Sequence, residues 1–299
     1  MLIDEASPLF PPLARLAREA RMVFFAGLPG TGKSLLIREL AHLAHARRRR
    51  IHLLQWDVAR PVFEASEAGR RYPQVDGITH GLIRLAVGRW ARGAVARWHA
   101  EHGSVEHLLI GETPFIGHRF VELARPAPDA AEPLLAAPHT RFVIPVPSRE
   151  LRRHLEGERR RRARAPVHPR EREDAPPHVL RTLWAEVAAA AEALGLVDSA
   201  GAVGGGYDPD VYRRVYERLL AHRHVEVLAT ATPLPVAGVS AYDLRVPAPD
   251  LLPALDEADR FIAEAAADHP DPAGVQAQID AWYLPVSRRP RAPGRPGPA

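Results

Sequence analysis

The sequence contains no cysteine and no asparagine, and only one of its 40 basic residues is a lysine. Without cysteine, the chain can form no disulfide, no thiolate metal site and no cysteine nucleophile. None of its apolar runs approaches the ~20 residues that a membrane-spanning helix needs. The first ten residues, MLIDEASPLF, include acidic residues but no basic region, so they do not resemble a secretory signal. We therefore expect a cytoplasmic protein that does not enter a membrane.

The remaining composition suits one globular domain with additions. Hydrophobic residues make up 46% of the 299 positions, enough for a sizeable core, and the net charge of +4 permits an anionic substrate without requiring nucleic acid. The fifteen histidines show no H-E-x-x-H or comparable ligand spacing, so no zinc site is predicted. We expect a core over residues 1–246, a helical extension over 247–284 and a disordered tail over 285–299, which is rich in Pro, Gly and Arg.

The single lysine, Lys33, belongs to the sequence GLPGTGKS at 27–34, which matches the phosphate-binding pattern G-x-x-x-x-G-K-[ST] at every position. An apolar run at 22–26 precedes it and a helical pattern at 35–46 follows, which is the context that this pattern requires. The glycines allow successive N–H groups to turn towards a phosphate, and the positive end of the helix faces the same anion. Lys33 is expected to reach the β- and γ-phosphates of a nucleoside triphosphate, and Ser34 to bind Mg²⁺. The residues predicted to hold the nucleotide are Gly27, Leu28, Pro29, Gly30, Thr31, Gly32, Lys33, Ser34 and Leu35.

Five short apolar runs alternate with helical patterns along the chain. They are residues 22–26, 51–55, 107–111, 141–146 and 225–229. Strands that alternate with helices form a parallel sheet with helices on both faces, so we predict a three-layer α/β/α fold. Residues 115–124 have the pattern of a further helix, and Ser148 is placed to cap a helix from Arg149.

Asp57 and Glu112 follow the second and third of these runs. Ligands of parallel sheets collect at the carboxyl ends of the strands, so both side chains should face the crevice that contains Lys33. Asp57 could accept the proton of an attacking hydroxyl or help to hold Mg²⁺. Alternatively, its side chain could cap the start of a loop and have no catalytic role. Glu112 ends the Walker-B-like run LLIGE and could hold Mg²⁺ through a water, but an aspartate is usual at one of its last two positions, so a purely structural role also stays open.

A block of arginines follows the fourth run. The residues that share a face of the expected helix are either Arg152, Arg159 and Arg162 or Arg153 and Arg160. Arginines can bind the equatorial oxygens of a phosphoryl group during transfer, and we expect Arg152 and Arg159 to do so. The proline-punctuated residues 165–176 predict a mobile loop behind the helix, so that residues 148–176 would form a lid. Interleaved glutamates in the same helix also fit a solvated basic face.

The order of these features resembles the P-loop kinases. Within that superfamily, it is most similar to the branch that holds adenylate-kinase-like, polynucleotide-kinase-like and zeta-toxin-like phosphotransferases. The similarity covers the layout of residues 20–235, and the phosphate loop is its one specific motif. It implies a strand order of 2-3-1-4-5, Asp57 as the base and residues 150–165 as the lid. The lid arginines outnumber the family's usual pair and no acceptor-binding signature follows Asp57, so the resemblance does not name the substrate.

The sequence therefore predicts an ATP- and Mg²⁺-dependent kinase. Its catalytic residues would be Lys33, Asp57, Arg152 and Arg159. Its metal ligands would be Ser34, Asp57 and Glu112. The γ-phosphoryl would pass to a hydroxyl or phosphate acceptor, such as a nucleoside, a nucleotide or a polynucleotide 5′ end, bound against helices within 58–102. A homo-oligomer is compatible with the sequence.

An ATP-driven switch of the AAA type, coupled to a partner protein, is the alternative, because its phosphate loops also favour P-G-T-G-K. Such proteins usually carry adjacent Asp and Glu after the third strand and often an asparagine sensor on the fourth. Here the third strand ends in Gly111 and Glu112, and asparagine is absent. A GTPase would need the motif Asn-Lys-x-Asp to recognise guanine, which a chain without asparagine cannot contain.

Overall fold

The fold is built on a five-stranded parallel sheet. The computed structural model of the protein describes residues 2–173, 175–197, 206–236 and 238–284. Its strands are β1 (Met22–Ala26), β2 (Arg50–Gln55), β3 (His107–Thr113), β4 (Thr140–Pro147) and β5 (Val225–Thr230). They pair in the order β2-β3-β1-β4-β5, which confirms the predicted α/β class and the strand order that the resemblance implied. Because β1 is central and fully buried, the loop that follows it leaves the sheet at the middle of its carboxyl edge.

Helices cover both faces of this sheet. They are α1 (Phe10–Glu19), α2 (Lys33–Ala46), α3 (Trp56–Ala65), α4 (Gly81–Glu101), α5 (Val121–Ala124), α6 (Glu132–Leu135), α7 (Arg149–Arg164), α8 (Pro177–Ala193), α9 (Pro209–Leu219), α10 (Leu255–Asp268) and α11 (Pro272–Asp280). The apolar residues of α1 and α2 are buried on one face with Phe25, whereas those of α3, α4, α8 and α9 are buried on the other with Phe24. The side chains of successive strand residues thus point to opposite faces of the sheet and pack against different helical layers. Over the ranges described, no helix is long and apolar enough to cross a membrane.

Residues 115–124 do not form the single helix that their pattern predicts. Phe115, His118 and Phe120 have φ angles of +61°, +63° and +65°, which residues with side chains rarely adopt. Only a 3₁₀ turn at Ile116–His118 and the short α5 remain helical. Phe115 and Phe120 are fully buried, and the burial of two aromatic rings outweighs the local helical pattern. The turn redirects the chain directly after β3, at the edge of the sheet where the phosphate loop lies.

The C-terminal helices α10 and α11 pack on α4. Glu257 of α10 accepts a hydrogen bond from Trp90 Nε1 at 3.1 Å. At the start of α4, Gly81 leaves room for Val275 of α11, because a Cβ on this glycine would lie 2.7 Å from Val275 Cγ1. Both helices contribute buried residues to the same core as α4. The tail over 285–299, predicted to be disordered, lies outside the described residues.

Residues 238–250, here called the strap, run across α2 to the edge of β2. Arg38 Nε of α2 donates to Asp243 O in the strap at 3.2 Å. At the end of the strap, Leu53 N–H of β2 donates to Pro249 O at 2.9 Å, within a short parallel bridge. The strap therefore covers backbone groups that an edge strand would otherwise leave open to solvent or to another chain.

Gly111 is a position in the centre of the sheet where no side chain fits. A Cβ there would lie 2.3 Å from Cδ1 of Phe24, whose ring stacks on Phe142 at a centroid distance of 5.0 Å. This packing leaves no room for an aspartate side chain at this position. We expect Gly111→Ala to lower the free energy of unfolding by about 3 kcal/mol, since the aromatic pair must move. Urea denaturation measures this change.

The matched control is Gly157→Ala in α7, where the added Cβ meets no atom within 4 Å. Alanine in a helix interior should stabilise the protein by about 0.5–1 kcal/mol relative to glycine. A Gly111→Ala variant as stable as the wild type would contradict the packing described for β1 and β3.

Glu132, at the start of α6, ties α4 to the segment after α9. Its carboxylate accepts hydrogen bonds from Arg223 Nη1 at 2.8 Å and from Arg92 Nη2 at 2.9 Å. Burial alone would raise the pKa of Glu132, but these hydrogen bonds outweigh burial and lower it from 4.5 to about 2. A carboxylate with a lowered folded-state pKa stabilises the fold fully above its unfolded-state pKa, and this stabilisation is lost as the pH falls towards the folded-state value.

We therefore expect the urea midpoint to fall as the pH is lowered from 5 towards 2, and to fall less steeply in Glu132→Gln. The control is Glu217→Gln, which removes a half-exposed partner of Arg213 instead. Equal pH profiles for wild type and Glu132→Gln would show that this network does not contribute.

Candidate active site

Residues 27–32, here called the phosphate loop after the pattern that their sequence matches, join the end of β1 to α2. Gly27, Gly30 and Gly32 have φ angles of +144°, +77° and +88°, a region that residues with a Cβ rarely adopt. Within the described chain, no side chain caps the N-terminus of α2, so none competes for the N–H groups of its first turn. The loop has the backbone shape and the uncapped helix end that favour the binding of an anion.

Lys33 begins α2 and lies inside the loop. Its side chain is 3% exposed, and Nζ donates to Gly27 O at 2.8 Å and to Leu28 O at 2.9 Å. Nζ also lies 3.6 Å from Glu112 Oε1. Burial lowers the pKa of Lys33, and the negative charge of Glu112 acts in the opposite direction. Because charged oxygens are stronger acceptors than neutral carbonyls, phosphate oxygens at the loop could replace the two carbonyl partners.

Glu112 lies near the end of β3, beside Gln55 of β2 in the register of the sheet. Burial raises the pKa of Glu112, whereas the charge of Lys33 lowers it and that of Asp57 raises it. Glu112 and Ser34 line the same cavity, which has a volume of about 190 Å³. Hydroxyl and carboxylate oxygens are the kind of ligand that Mg²⁺ prefers.

Asp57 is exposed in the first turn of α3, two residues after the end of β2. Burial is the largest influence on the pKa values of Lys33 and Glu112, but the charge of Asp57 also acts on both and raises them. The strand order places the ends of β1, β2 and β3 side by side, so Asp57, Glu112 and the loop that contains Lys33 share one edge of the sheet.

Arg152 connects α7 to the loop. Its side chain is 3% exposed, and it donates from Nη1 to Pro29 O and from Nε to Glu156 Oε1, both at 2.7 Å. Its guanidinium lies over the ring of Tyr207, 5.4 Å from the centroid. The contact with the loop is close, because a Cβ on Gly30 would lie 3.3 Å from Nη1. Arg152 thus supplies a positive charge at the rim of the phosphate loop.

Arg159 lies two helical turns beyond Arg152 on the same side of α7. Burial is the main influence on the pKa values of Lys33 and Glu112, and the charge of Arg159 is a smaller one that lowers both. Arg153, on the other face that the helical spacing allows, has 76% of its side chain exposed. Of the two faces, the one with Arg152 and Arg159 is directed towards the site.

The far end of α7 is held by a second set of contacts. Arg162 donates to Glu171 Oε1 at 2.8 Å and to Val239 O of the strap at 3.0 Å. Glu171 is buried and also accepts a hydrogen bond from Ser240 Oγ at 2.7 Å. The predicted loop over 165–176 therefore contains a buried residue that links α7 to the strap.

Sequence patterns did not indicate Tyr212 or Arg119. Tyr212 of α9 is fully buried, and a Cβ on Gly27 would lie 1.9 Å from its hydroxyl oxygen. Arg119 lies in the turn after β3, where burial lowers its pKa and the charges of Glu186 and then Asp57 oppose that effect. Tyr212 lies on the same inward face of α9 as Val215. This helical pattern was the one signal in the sequence that could have indicated a buried tyrosine. Arg119 lies in the segment whose helical pattern is wrong, so no signal pointed to it.

Three comparisons with known proteins add no family to this description. No protein-family model matches the chain, and neither a curated protein nor a solved structure matches it.

Proposed function

We propose that this protein is an ATP- and Mg²⁺-dependent phosphotransferase. The observation that carries the proposal is that Lys33, Glu112 and Arg152 meet at one glycine-rich loop: Lys33 Nζ lies 3.6 Å from Glu112 Oε1, and Arg152 Nη1 donates to Pro29 O at 2.7 Å. A buried ammonium group is costly unless it is hydrogen-bonded and paired with negative charge. Beside uncapped N–H groups and carboxylates, such an ammonium suits a ligand that combines phosphates with a metal ion.

The loop and Lys33 would bind the phosphates. The N–H groups of the first turn of α2 point along the helix axis towards the loop, and the helix dipole favours negative charge there. Lys33 Nζ already lies in the loop, where it donates to Gly27 O and Leu28 O. In the complex, Nζ would exchange these two carbonyl oxygens for oxygens of the β- and γ-phosphates.

Ser34 and Glu112 would hold the Mg²⁺ ion, with Asp57 close to it. The two side chains line one cavity, and their oxygen donors fit the ion. When bound, Mg²⁺ would offset part of the negative charge of the phosphates. A cation beside Glu112 would also favour its carboxylate, and thus counteract the effect of burial on its pKa.

Asp57 would accept the proton of the acceptor. In the transfer, an oxygen of the acceptor forms a bond to the γ-phosphorus, its proton moves to the Asp57 carboxylate, and the bond to the β-phosphate oxygen breaks to release ADP. Asp57 is exposed at the start of α3, so an acceptor can approach it from solvent along α3 and α4. Arg152 and Arg159 would stabilise the charge on the equatorial oxygens of the transferring group.

The test is transfer of label from γ-labelled ATP with Mg²⁺ to a pooled panel of nucleosides, nucleotides, sugars and 5′-hydroxyl oligonucleotides. Label on one acceptor would support the proposal and identify the substrate. Binding to an oligonucleotide should fall steeply with salt, whereas binding to a small acceptor should change little. Label found only as free phosphate would overturn the phosphotransferase and favour the ATPase switch.

A further inference from the structure

Three histidines meet at the edge of the sheet opposite the phosphate loop. His52 lies near the start of β2, His107 is the first residue of β3, and His102 follows the last residue of α4. The phosphate loop leaves the carboxyl ends of the strands, whereas these histidines lie towards the amino ends. This cluster, here called the His cluster, is therefore separate from the candidate active site.

We propose that the His cluster binds one divalent transition-metal ion of the Zn²⁺ class. One ring nitrogen from each of the three residues lies within 4.8 Å of the other two. His52 Nε2 and His107 Nδ1 are 3.0 Å apart. Two nitrogens that bind one tetrahedral zinc ion at ~2.0–2.1 Å lie about 3.3 Å apart. The separation of this pair is within a few tenths of an ångström of the value for zinc. The ring nitrogen of His102 lies within 4.8 Å of both.

The backbone holds these side chains in place before any metal binds. Parallel pairing of β2 and β3 sets His107 opposite Arg50, so His52 and His107 are diagonal neighbours on the same face of the sheet. The end of α4 lies over that face, and Arg21 Nη2 donates to His102 O at 2.7 Å. The ring of His102 is 4.4 Å from that of His52 and 4.6 Å from that of His107, measured between centroids. Because the three ring planes lie within 34° of one another, metal binding requires the rings to rotate, while the backbone can stay in place.

The protonation of the rings suits a metal ligand. Burial, followed by the charges of its neighbours, lowers the pKa of His52 to about 4, and burial also lowers the pKa of His107. Both rings are thus neutral near pH 7, and neutral imidazole is the form that binds metals. The charges of Arg21 and Arg50 act on the cluster and oppose a dication, while Glu106 favours one.

The donor set limits the kind of metal. Imidazole nitrogens suit Zn²⁺, Cu²⁺, Ni²⁺ and Co²⁺, whereas Mg²⁺ and Ca²⁺ prefer oxygen ligands. Three protein ligands leave one tetrahedral position, which a water molecule can occupy. The metal would join β2, β3 and α4, so binding should raise the thermal stability of the protein. Spacing along the chain cannot reveal this site, because His52 is 50 residues from His102.

The test is a zinc titration of the full chain without an affinity tag, after treatment with EDTA and in competition with a chromophoric chelator of micromolar affinity. We expect one equivalent of tight binding, a rise in melting temperature with Zn²⁺, and a tetrahedral absorption spectrum with Co²⁺. Addition of Mg²⁺ should not displace the metal. His52→Gln, His102→Gln and His107→Gln should each weaken zinc binding by at least about 100-fold.

The matched control is His45→Gln, which removes an exposed histidine on α2 and should leave zinc affinity unchanged. A melting curve in EDTA shows whether each variant still folds. If one of the three variants does not fold, the conclusion is drawn from the other two. The proposal is overturned if the wild type binds no stoichiometric zinc, if all folded variants keep the tight site, or if His45→Gln weakens binding as much as His52→Gln. None of these outcomes depends on ATP turnover.

Discussion

Replacing Lys33 with alanine is expected to reduce phosphoryl transfer by about 10³-fold, the size of effect seen when a buried group that stabilises transition-state charge is removed. Lys33 Nζ lies inside the loop, where it donates to two carbonyl oxygens. The chain has no other lysine that could supply an ammonium group in its place. Steady-state transfer from γ-labelled ATP to the acceptor found in the panel measures the loss.

Two further variants show whether the charge or the fold is responsible. Lys33→Met keeps most of the side chain's length but leaves Glu112 without its cation, so its urea midpoint should fall, and transfer is compared under conditions where the urea curve shows the variant to be folded. Lys33→Arg keeps the charge but places a planar fork in a space that fits an ammonium group, and should recover only part of the rate. A Lys33→Met enzyme with transfer within tenfold of the wild type would remove Lys33 from the mechanism.

Replacing Asp57 with asparagine is expected to reduce turnover by about 10²–10⁴-fold, the usual contribution of a general base. Asparagine has the same shape but cannot accept the acceptor's proton. Asp57 is exposed, and among the described residues its side chain makes no hydrogen bond or ion pair, so ATP affinity and melting temperature should change little. Turnover at saturating acceptor and nucleotide binding by calorimetry separate the two effects.

The control for this variant is Glu67→Gln, which removes another exposed carboxylate close to the end of α3. Its turnover should equal that of the wild type. If Asp57→Asn retains full activity and releases free phosphate, a water molecule rather than an acceptor is being activated, and the ATPase interpretation replaces the kinase.

The sheet and the positions of Asp57 and Glu112 could be predicted because they depend on local patterns and on one topological rule. Buried runs of Val, Ile, Leu and Phe mark the strands, and the carboxyl ends of parallel strands meet at one edge. Lys33 stood out because the loop motif fixes its neighbours at every position. These signals lie within a few residues of each other, so no knowledge of tertiary contacts was required.

Other features depend on contacts between distant segments and left no local signal. The spacing on α7 allowed either Arg152 or Arg153 to face the site, and only the packing of α7 on Pro29 decides between them. The positive φ angles at Phe115 and Phe120 go against the preferences of phenylalanine and follow from the burial of their rings. Such choices are made by the tertiary structure, which overrides local propensity.

The contacts at the two ends of α7 have a mechanical consequence for access to the phosphate loop. Arg152 anchors one end on Pro29, and Arg162 anchors the other on the strap. A helix anchored at one end can pivot about it, but a helix anchored at both can leave only if one anchor breaks or if the strap moves with it. Because the strap also pairs with Leu53 at the edge of β2, a movement of the whole strap would have to break this bridge as well. The body that must be displaced to uncover the loop is thus α7 and the strap together, not a single hinged flap.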